Sequence, residues 1–434
     1  MSEFLHFFSL TDVNIRSVVL GSVLLGATAG AIGCFALLRK RALIGDALAH
    51  SALPGVVIGF VISGGKVPIA LLLGAMVTAW LGALAVNAIS QRSKIHSDTA
   101  MAIVLSVLFA TGIVGLTLVQ KTGEASQSGL ANFLFGRAAS LLPEDVLHFG
   151  ILAVINLIVL SVLFKEFKLI AFDSTFTRAI GLPAGVLDFL LTTLMVVAVV
   201  VGLQAVGVVL MAAMIITPAA AARLWTDRLE VMVWIAAALG GFSGIAGAYL
   251  SSLAPSMPTG PWMVLAVSVV FALSLLFAPR RGMLARLTDF LQLRRKTLDE
   301  HILKTFFHIG ETRADFHTPV TVADLAKARF FPGKTLWRGL RGLRRAGLVE
   351  TRGDLLSLTA AGREKAARIV RVHRLWEMYL SEYMHLPADH VHRDADQMEH
   401  VLTPELEARL EALLERPRVD PHGEPIPYPE GGTS

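Results

Sequence analysis

Apolar and polar positions divide this chain into two regimes. Up to about residue 283, apolar runs follow one another at 13–38, 42–63, 67–89, 99–120, 146–164, 187–204, 206–224, 230–252 and 259–279, separated by short polar connections. Runs of this length predict membrane-spanning helices, because a segment in lipid must satisfy its backbone hydrogen bonds within itself. They are rich in small residues, such as Gly21, Gly26, Gly30 and Gly33 in the first run and Gly240, Gly241, Gly244 and Gly247 in the eighth. Small residues three or four apart let helices approach closely, which predicts a packed bundle: a transporter, a channel or an integral-membrane enzyme. Only Arg16 lies near the start of the first run and no convincing cleavage site follows, so no cleavable signal peptide is expected.

Beyond about Thr288 the periodicity becomes that of a soluble domain. A helix is predicted over 298–309, with Ile302, Leu303, Phe306 and Phe307 on one side, and a second begins at Thr321. A third covers 334–346 and stops at Gly347, and two short apolar stretches around Gly353 and Asp354 read as a β-hairpin. Three helices and a wing is the order of a winged helix-turn-helix.

Composition agrees with this division. The whole chain is 54% apolar and 17% charged, against about a quarter charged in soluble domains, which excludes an ordinary cytosolic enzyme. Residues 1–283 hold 16 Lys/Arg and 12 Asp/Glu, and residues 284–434 hold 23 and 22. The lone cysteine, Cys34, excludes a disulfide framework or a cysteine-rich metal site and is expected to be a packed side chain. Basic residues set the orientation. With a cytoplasmic C-terminus, Arg39, Lys40, Arg41, Arg92, Lys94, Lys165, Lys168, Arg178, Arg223, Arg228, Arg280 and Arg281 fall inside, against Arg16, Lys66, Lys121 and Arg137 outside.

Ionisable residues inside an apolar run are costly and mark function. The clearest case is Gly45-Asp46-Ala47-Leu48-Ala49-His50-Ser51-Ala52-Leu53-Pro54-Gly55. Asp46 and His50, four apart, share one helix face, where a carboxylate oxygen and an imidazole nitrogen can hold manganese, zinc or ferrous iron. The alternatives are a plain Asp–His hydrogen bond, or an interfacial Asp46 beside the Arg39–Arg41 cluster. Pro54 and Gly55 are expected to disturb this helix and free backbone groups toward a cavity. His96 and Asp98 are expected to be solvated, and Gln204 to be a turn residue.

Residues 171–185 predict a short amphipathic helix, capped by Asp173 or Ser174, carrying Arg178 and ended by Gly181. Such a helix on the inner face of a membrane can receive force from an ATPase. No Gly-x4-Gly-Lys-Ser/Thr sequence occurs, so an ATPase would be a separate chain, and no His-Glu-x-x-His sequence supports a zinc protease.

In the tail, Lys334, Arg338, Arg341 and Arg345 recur at helical spacing on the third helix, a pattern open to DNA phosphates, to anionic lipid or to solvent. Nine of the 13 histidines follow residue 300. His373 and Glu377 are four apart, and His392, Asp396 and His400 form a column with Glu399 beside it, spacing that suits metal ligation.

Two resemblances follow. The 45–55 segment, the 172–187 stretch, Gly202-Leu203-Gln204-Ala205-Val206-Gly207 and Ile216-Thr217-Pro218-Ala219-Ala220-Ala221-Ala222-Arg223 resemble permeases of ABC importers for manganese, zinc and iron, over about 10–280. This implies a divalent metal substrate handed over by an extracytoplasmic metal-binding protein. It also implies Asp46 and His50 as ligands in the pathway, and residues 173–185, with Asp173, Arg178 and Gly181, as the coupling helix for a cytoplasmic ABC ATPase. The runs 371–377, 391–402 and 420–427 resemble metal-dependent repressors of the diphtheria-toxin-repressor and manganese-repressor type, over about 295–428. This implies one metal site from His301, Asp396, Glu399 and His400 and a neighbouring one from His373, Glu377 and His392. No SH3-like third domain follows, which leans toward manganese.

The expected architecture is an all-α polytopic membrane protein of about 8–9 transmembrane helices with a cytoplasmic winged-helix and metal-binding/dimerisation domain. The expected divisions are a permease domain 1–283, a linker 284–297, a winged helix 298–362 and a metal-binding/dimerisation part 363–434. The expected function is the permease of an ATP-driven divalent-metal importer in a bacterial plasma membrane, paired with a second copy or a paralogue. Manganese comes first as the ion, then iron or zinc. The alternative is a membrane-tethered, metal-dependent transcriptional regulator.

Overall fold

The computed structural model describes residues 2–9, 11–41, 43–65, 67–121, 143–254, 257–386 and 404–428. They group into two units, Met1–Arg286 and Leu287–Ser434. In the first, α1 (Ser2–Ser9) precedes α2 (Val13–Leu38), α3 (Ile44–Ser63), α4 (Pro68–Arg92), α5 (Ser97–Lys121) and α6 (Pro143–Val162). Then come α7 (Phe164–Phe172), α8 (Ser174–Ala179), α9 (Ala184–Ala205), α10 (Val208–Trp225), α11 (Leu229–Ser252) and α12 (Thr259–Phe277). Among the described residues, eight helices are long and apolar enough to cross a membrane, and the pair Val146–Val162 with Phe164–Phe172, bent by 71°, makes a ninth if it is one span. The bend falls where Lys165, Glu166 and Lys168 enter the sequence, charges that lipid disfavours.

Helices α2 and α3 are largely enclosed, whereas α4, α5 and α12 turn most of their surface outward. On α4, Ile69, Leu73, Val77 and Leu81 are exposed while Leu71, Ala75 and Ala79 are buried. Large apolar side chains outward and small ones inward is the arrangement expected where lipid is the solvent and close backbone packing holds the helices together. A reciprocal close approach joins α2 to α11. A Cβ on Gly26 would sit 2.2 Å from the Gly240 carbonyl oxygen, and one on Gly240 would sit 2.0 Å from that of Gly26. Further along α2, a Cβ on Gly33 would meet the Ile215 carbonyl of α10 at 1.9 Å. Cys34 is buried here, its thiol 3.4 Å from the Gly30 carbonyl, as expected of a packed side chain.

Helix α3 runs unbroken through Pro54, which corrects the expected disturbance. Neighbouring helices hold the segment: a Cβ on Gly55 would lie 2.0 Å from the Gly74 carbonyl of α4, so the two backbones pack directly at this point. Pro54 still has no N–H to offer the carbonyl of His50. The segments of 187–204 and 206–224 are separate helices that part at Val206 and Gly207, and Gln204 lies in the last turn of α9 rather than in the turn itself.

In the second unit, α13 (Met283–Arg313) supplies the first helix of the domain. The stretch expected as a linker, 284–297, is its N-terminal half, so the connection is helical. β1 (Val320–Thr321), α14 (Val322–Ala328), α15 (Gly333–Arg345), β2 (Val349–Arg352) and β3 (Leu355–Leu358) follow, with the sheet ordered β1-β3-β2 and both pairings antiparallel. Thr321 and Asp324 form a reciprocal capping box that starts α14. Ile302, Leu303, Phe306 and Phe307 of α13 pack on Leu336, Leu340, Leu343 and Leu356, which gives the winged-helix core. Helix α16 (Ala360–Glu382) then meets α17 (Pro404–Leu413) through a smaller core of Leu375, Leu410, Leu414 and Ile426.

The α2–α11 contact gives a direct test. Gly26→Ala or Gly240→Ala is expected to lower stability by about 1–3 kcal/mol, because the new methyl meets backbone. Gly150→Ala on α6, where a Cβ finds ordinary contact at 3.6 Å, should leave thermal unfolding in detergent unchanged.

Candidate metal pathway and metal-sensing sites

Asp46 and His50 lie in the first two turns of α3, at the end of the bundle that also carries Arg39 and Arg41. His50 Nε2 is 3.2 Å from Asp46 Oδ1, and the His50 side chain is the more enclosed of the two, 12% against 32% exposed. A carboxylate only accepts, so the neutral imidazole donates from Nε2 and leaves Nδ1 as a bare lone pair. That Nδ1 is buried with no hydrogen-bond partner. The edge-to-face ring of Phe109 on α5 covers the imidazole at 4.5 Å. The next residue, Ser51, also buries an unpartnered hydroxyl. Buried polar atoms are normally satisfied, so such a lone pair beside a carboxylate is a place for a water or a cation.

The arginines do not take Asp46. Arg39 pairs with Asp188 at the start of α9, and Arg41 lies 3.9 Å from the same carboxylate. Arg41 and Asp188 border a cavity of about 160 Å³ between α3, α4, α5 and α9, with Asn87, Ser90 and Ser97 on its wall. Ile44, Ala47 and Leu48 of α3 line it, while Asp46 and His50 do not, so the cavity and the Asp–His pair occupy different faces of the helix.

Asp173 caps α8, its Oδ1 accepting from the N–H groups of Thr175 at 2.8 Å and Phe176 at 2.9 Å. Arg178 stands in the last turn. Gly181 follows with φ +85°, a left-handed conformation that suits glycine, and turns the chain toward Pro183. Thr177 is buried, whereas Phe172, Phe176 and Ile180 are exposed, so an apolar edge faces outward beside a cation.

In the tail, His373 Nε2 and Glu377 Oε1 on α16 are 3.0 Å apart, with side chains 3% and 1% exposed. Between them in sequence, Arg374 is equally buried. Its guanidinium donates to both oxygens of Glu311 on α13 at 2.8 and 2.9 Å and to the Pro425 carbonyl, and it lies 3.4 Å from Asp420. Burial pushes the Glu311 carboxyl up, but the hydrogen bonds from His308 and Arg374 outweigh it and hold the group below the usual glutamate range. His301 on α13 is half-buried, its Nε2 3.5 Å from an Arg329 nitrogen. His392, Asp396, Glu399 and His400 lie outside the described residues. Among the described residues, no three His, Cys, Asp or Glu side chains converge on one point. Lys334, Arg338, Arg341 and Arg345 all stand on the exposed face of α15, opposite the buried Leu336, Leu340 and Leu343.

A model of the ABC 3 transport family matches residues 11–278, more than half of the chain. The chain belongs to the ABC 3 transport family. A second model, for the metal binding and dimerisation domain of iron dependent repressors, matches residues 359–428. This ABC 3 family member is 41% identical over 407 residues to the manganese transport system membrane protein MntC of Bacillus subtilis, covering 93% of this chain and 92% of the relative. It is 41% identical over 287 residues to the zinc transport system membrane protein TroC of Treponema pallidum, covering 66% of this chain and 96% of the relative. Among solved structures, PsaBC from Streptococcus pneumoniae in complex with Fab is similar at TM-score 0.57 and 28% identity, over 64% of this chain and 97% of that one. Family membership carries with it a multi-span protein of the plasma membrane that works with an ATPase and a substrate-binding protein.

Several residues of this ABC 3 family member escape a reading by spacing alone. Asp188 and the Arg374–Glu311 pair are formed between distant segments. Phe109 was one apolar residue among many. Asn156 carried a signal, as a lone amide in the run of α6; it is 1% exposed and donates to the Leu194 carbonyl at 3.1 Å.

The Glu311 pairing predicts a pH window. Its folded value lies below its unfolded one, so the stability it supplies is present above about pH 4.3 and is lost as pH falls through the depressed value. Glu311→Gln is expected to cost about 3 kcal/mol at neutral pH, because it leaves the buried Arg374 short of a partner. Hydrogen exchange of α16 in the full chain should show this gap, and the gap should close in acid.

Proposed function

We propose that this chain is the membrane-spanning permease of an ATP-driven importer of divalent metal ions, manganese first and iron or zinc next. The observation that carries the reading is the Asp46–His50 pair, with a buried and unpartnered Nδ1, inside a bundle of the ABC 3 family. A hard carboxylate oxygen beside an imidazole nitrogen suits these ions and supplies a stopping point on their path. In this reading the C-terminus is cytoplasmic. A separate ATPase engages Asp173, Arg178, Gly181 and the exposed edge of α8, an extracytoplasmic binding protein delivers the ion, and a second copy or a paralogue completes the pathway. The names of the relatives, for manganese and zinc transport, support this choice of cargo.

The tail is proposed to sense the same ion on the product side. His373 and Glu377, with His392, would hold one metal, and His301, Asp396, Glu399 and His400 another. The buried His373 and Glu377, 3.0 Å apart on one helix face, fit such a role, since an imidazole nitrogen and a carboxylate oxygen at that separation can turn to one ion. Metal bound there reports sufficiency and restrains transport. The alternative, a tethered transcriptional regulator, is not favoured: it gives no part to a whole permease bundle.

The test is uptake of manganese into proteoliposomes holding the permease, its ATPase and its binding protein. Asp46→Ala and His50→Ala are expected to reduce uptake by at least about tenfold, and unchanged uptake overturns the pathway reading. Manganese preloaded inside should slow the parent but not a His373→Ala/Glu377→Ala variant. If both respond alike, the tail is not the sensor.

A further inference from the structure

The segment between the last span and the winged-helix core carries an apolar face that is half exposed. Leu287, Phe290 and Leu291 of α13 recur at i, i+3 and i+4 and are 51–54% exposed. This face leads into an open groove of about 750 Å³ between α13 and α15. Phe290, Leu291 and Leu293 form part of its wall, and Arg294, Arg338, Arg341 and Arg345 form much of the rest. No carboxylate lines it among the described residues. Arg294 lies 5.6 Å over the Phe290 ring, so cation and apolar surface meet within one side-chain pair. On α15 itself Trp337 is 55% exposed, and Phe330, just before that helix, is 89% exposed.

We propose that this face of the tail docks on an anionic lipid surface, with arginines of α13 and α15 at the headgroups and the apolar edge of α13, with Trp337, at the acyl boundary. Three observations favour lipid over nucleic acid. Phosphates of DNA would satisfy the arginines but give nothing to Leu287, Phe290, Leu291 and Trp337, whereas a bilayer interface satisfies both classes. Exposed aromatic side chains among basic ones are the composition of membrane-interface belts. Finally, only a short connection separates Phe277, the last residue of α12, from Met283, the first of α13, so the chain leaves the membrane immediately before this face. The inference goes beyond the transport reading and does not depend on which ion is carried.

The experiment places the full chain in nanodiscs of phosphatidylcholine alone or of phosphatidylcholine with phosphatidylglycerol, and follows hydrogen exchange in the first half of α13 and in α15. Phosphatidylglycerol is expected to slow exchange there by about tenfold, and raised salt to reverse it. Arg338→Glu/Arg341→Glu should abolish the protection and Arg338→Lys/Arg341→Lys should keep it, while β2 and β3 exchange as in the parent. The salt titration on the unaltered protein reads the same interaction should the charge-reversed variant not fold. Equal exchange in both discs overturns the proposal, as does protection by duplex DNA but not by phosphatidylglycerol.

Discussion

The backbones of α2 and α11 lie so close at Gly26 and Gly240 that neither position has room for a methyl group, and much else in the membrane unit follows from that contact. Lipid offers no hydrophobic reward for bringing apolar helices together, so association rests on dispersion between closely fitted surfaces. The same stripe of α2 continues to Gly33, which seats the Ile215 carbonyl of α10. The Ile215 side chain in turn comes to 3.1 Å of a Cβ placed on Gly45. Gly45 precedes Asp46. A run of small residues thus passes position from one helix to the next and ends beside the carboxylate on which the proposed pathway depends.

The tail is held by a different force. Arg374, Glu311 and Asp420 come from α16, α13 and the C-terminal turn, and their charges are enclosed. Burying them costs desolvation that the mutual attraction only partly offsets, so the network adds less to stability than to geometry. It fixes α16 against α13, and α16 is the helix that carries His373 and Glu377. For the proposed sensor, the enclosed bidentate pair between Arg374 and Glu311 is what would keep those two side chains on one rigid surface.

What was legible in the sequence was local. The Asp46–His50 pair, the Asp173 cap and the Thr321 helix start depend on residues within four of one another, and the hairpin around Gly353 on residues within nine, so spacing sufficed. Eight of the nine apolar runs are single helices long enough to span, since lipid imposes a minimum length on them, and the fifth is bent by 71°. The helical state of 284–297 was missed because its Arg, Lys and Thr residues read as a connection, although Leu287, Phe290 and Leu291 carry a helical period. The Arg39–Asp188 and Arg374–Glu311 pairs were out of reach, because a charge does not announce which distant charge it meets. Four of the seven proposed sensor ligands, His392, Asp396, Glu399 and His400, lie outside the described residues and rest on the resemblance.

Pro54 has one more consequence. Because Pro54 has no N–H, the His50 carbonyl is without the i+4 backbone donor of a regular helix, so position 50 brings two acceptors: a ring nitrogen from its side chain and an oxygen from its backbone. The nitrogen is set by the identity of residue 50 and the oxygen by the identity of residue 54. Two separate codons therefore set the nitrogen and the oxygen, and on the proposed pathway selection for a different ion has two positions to act on.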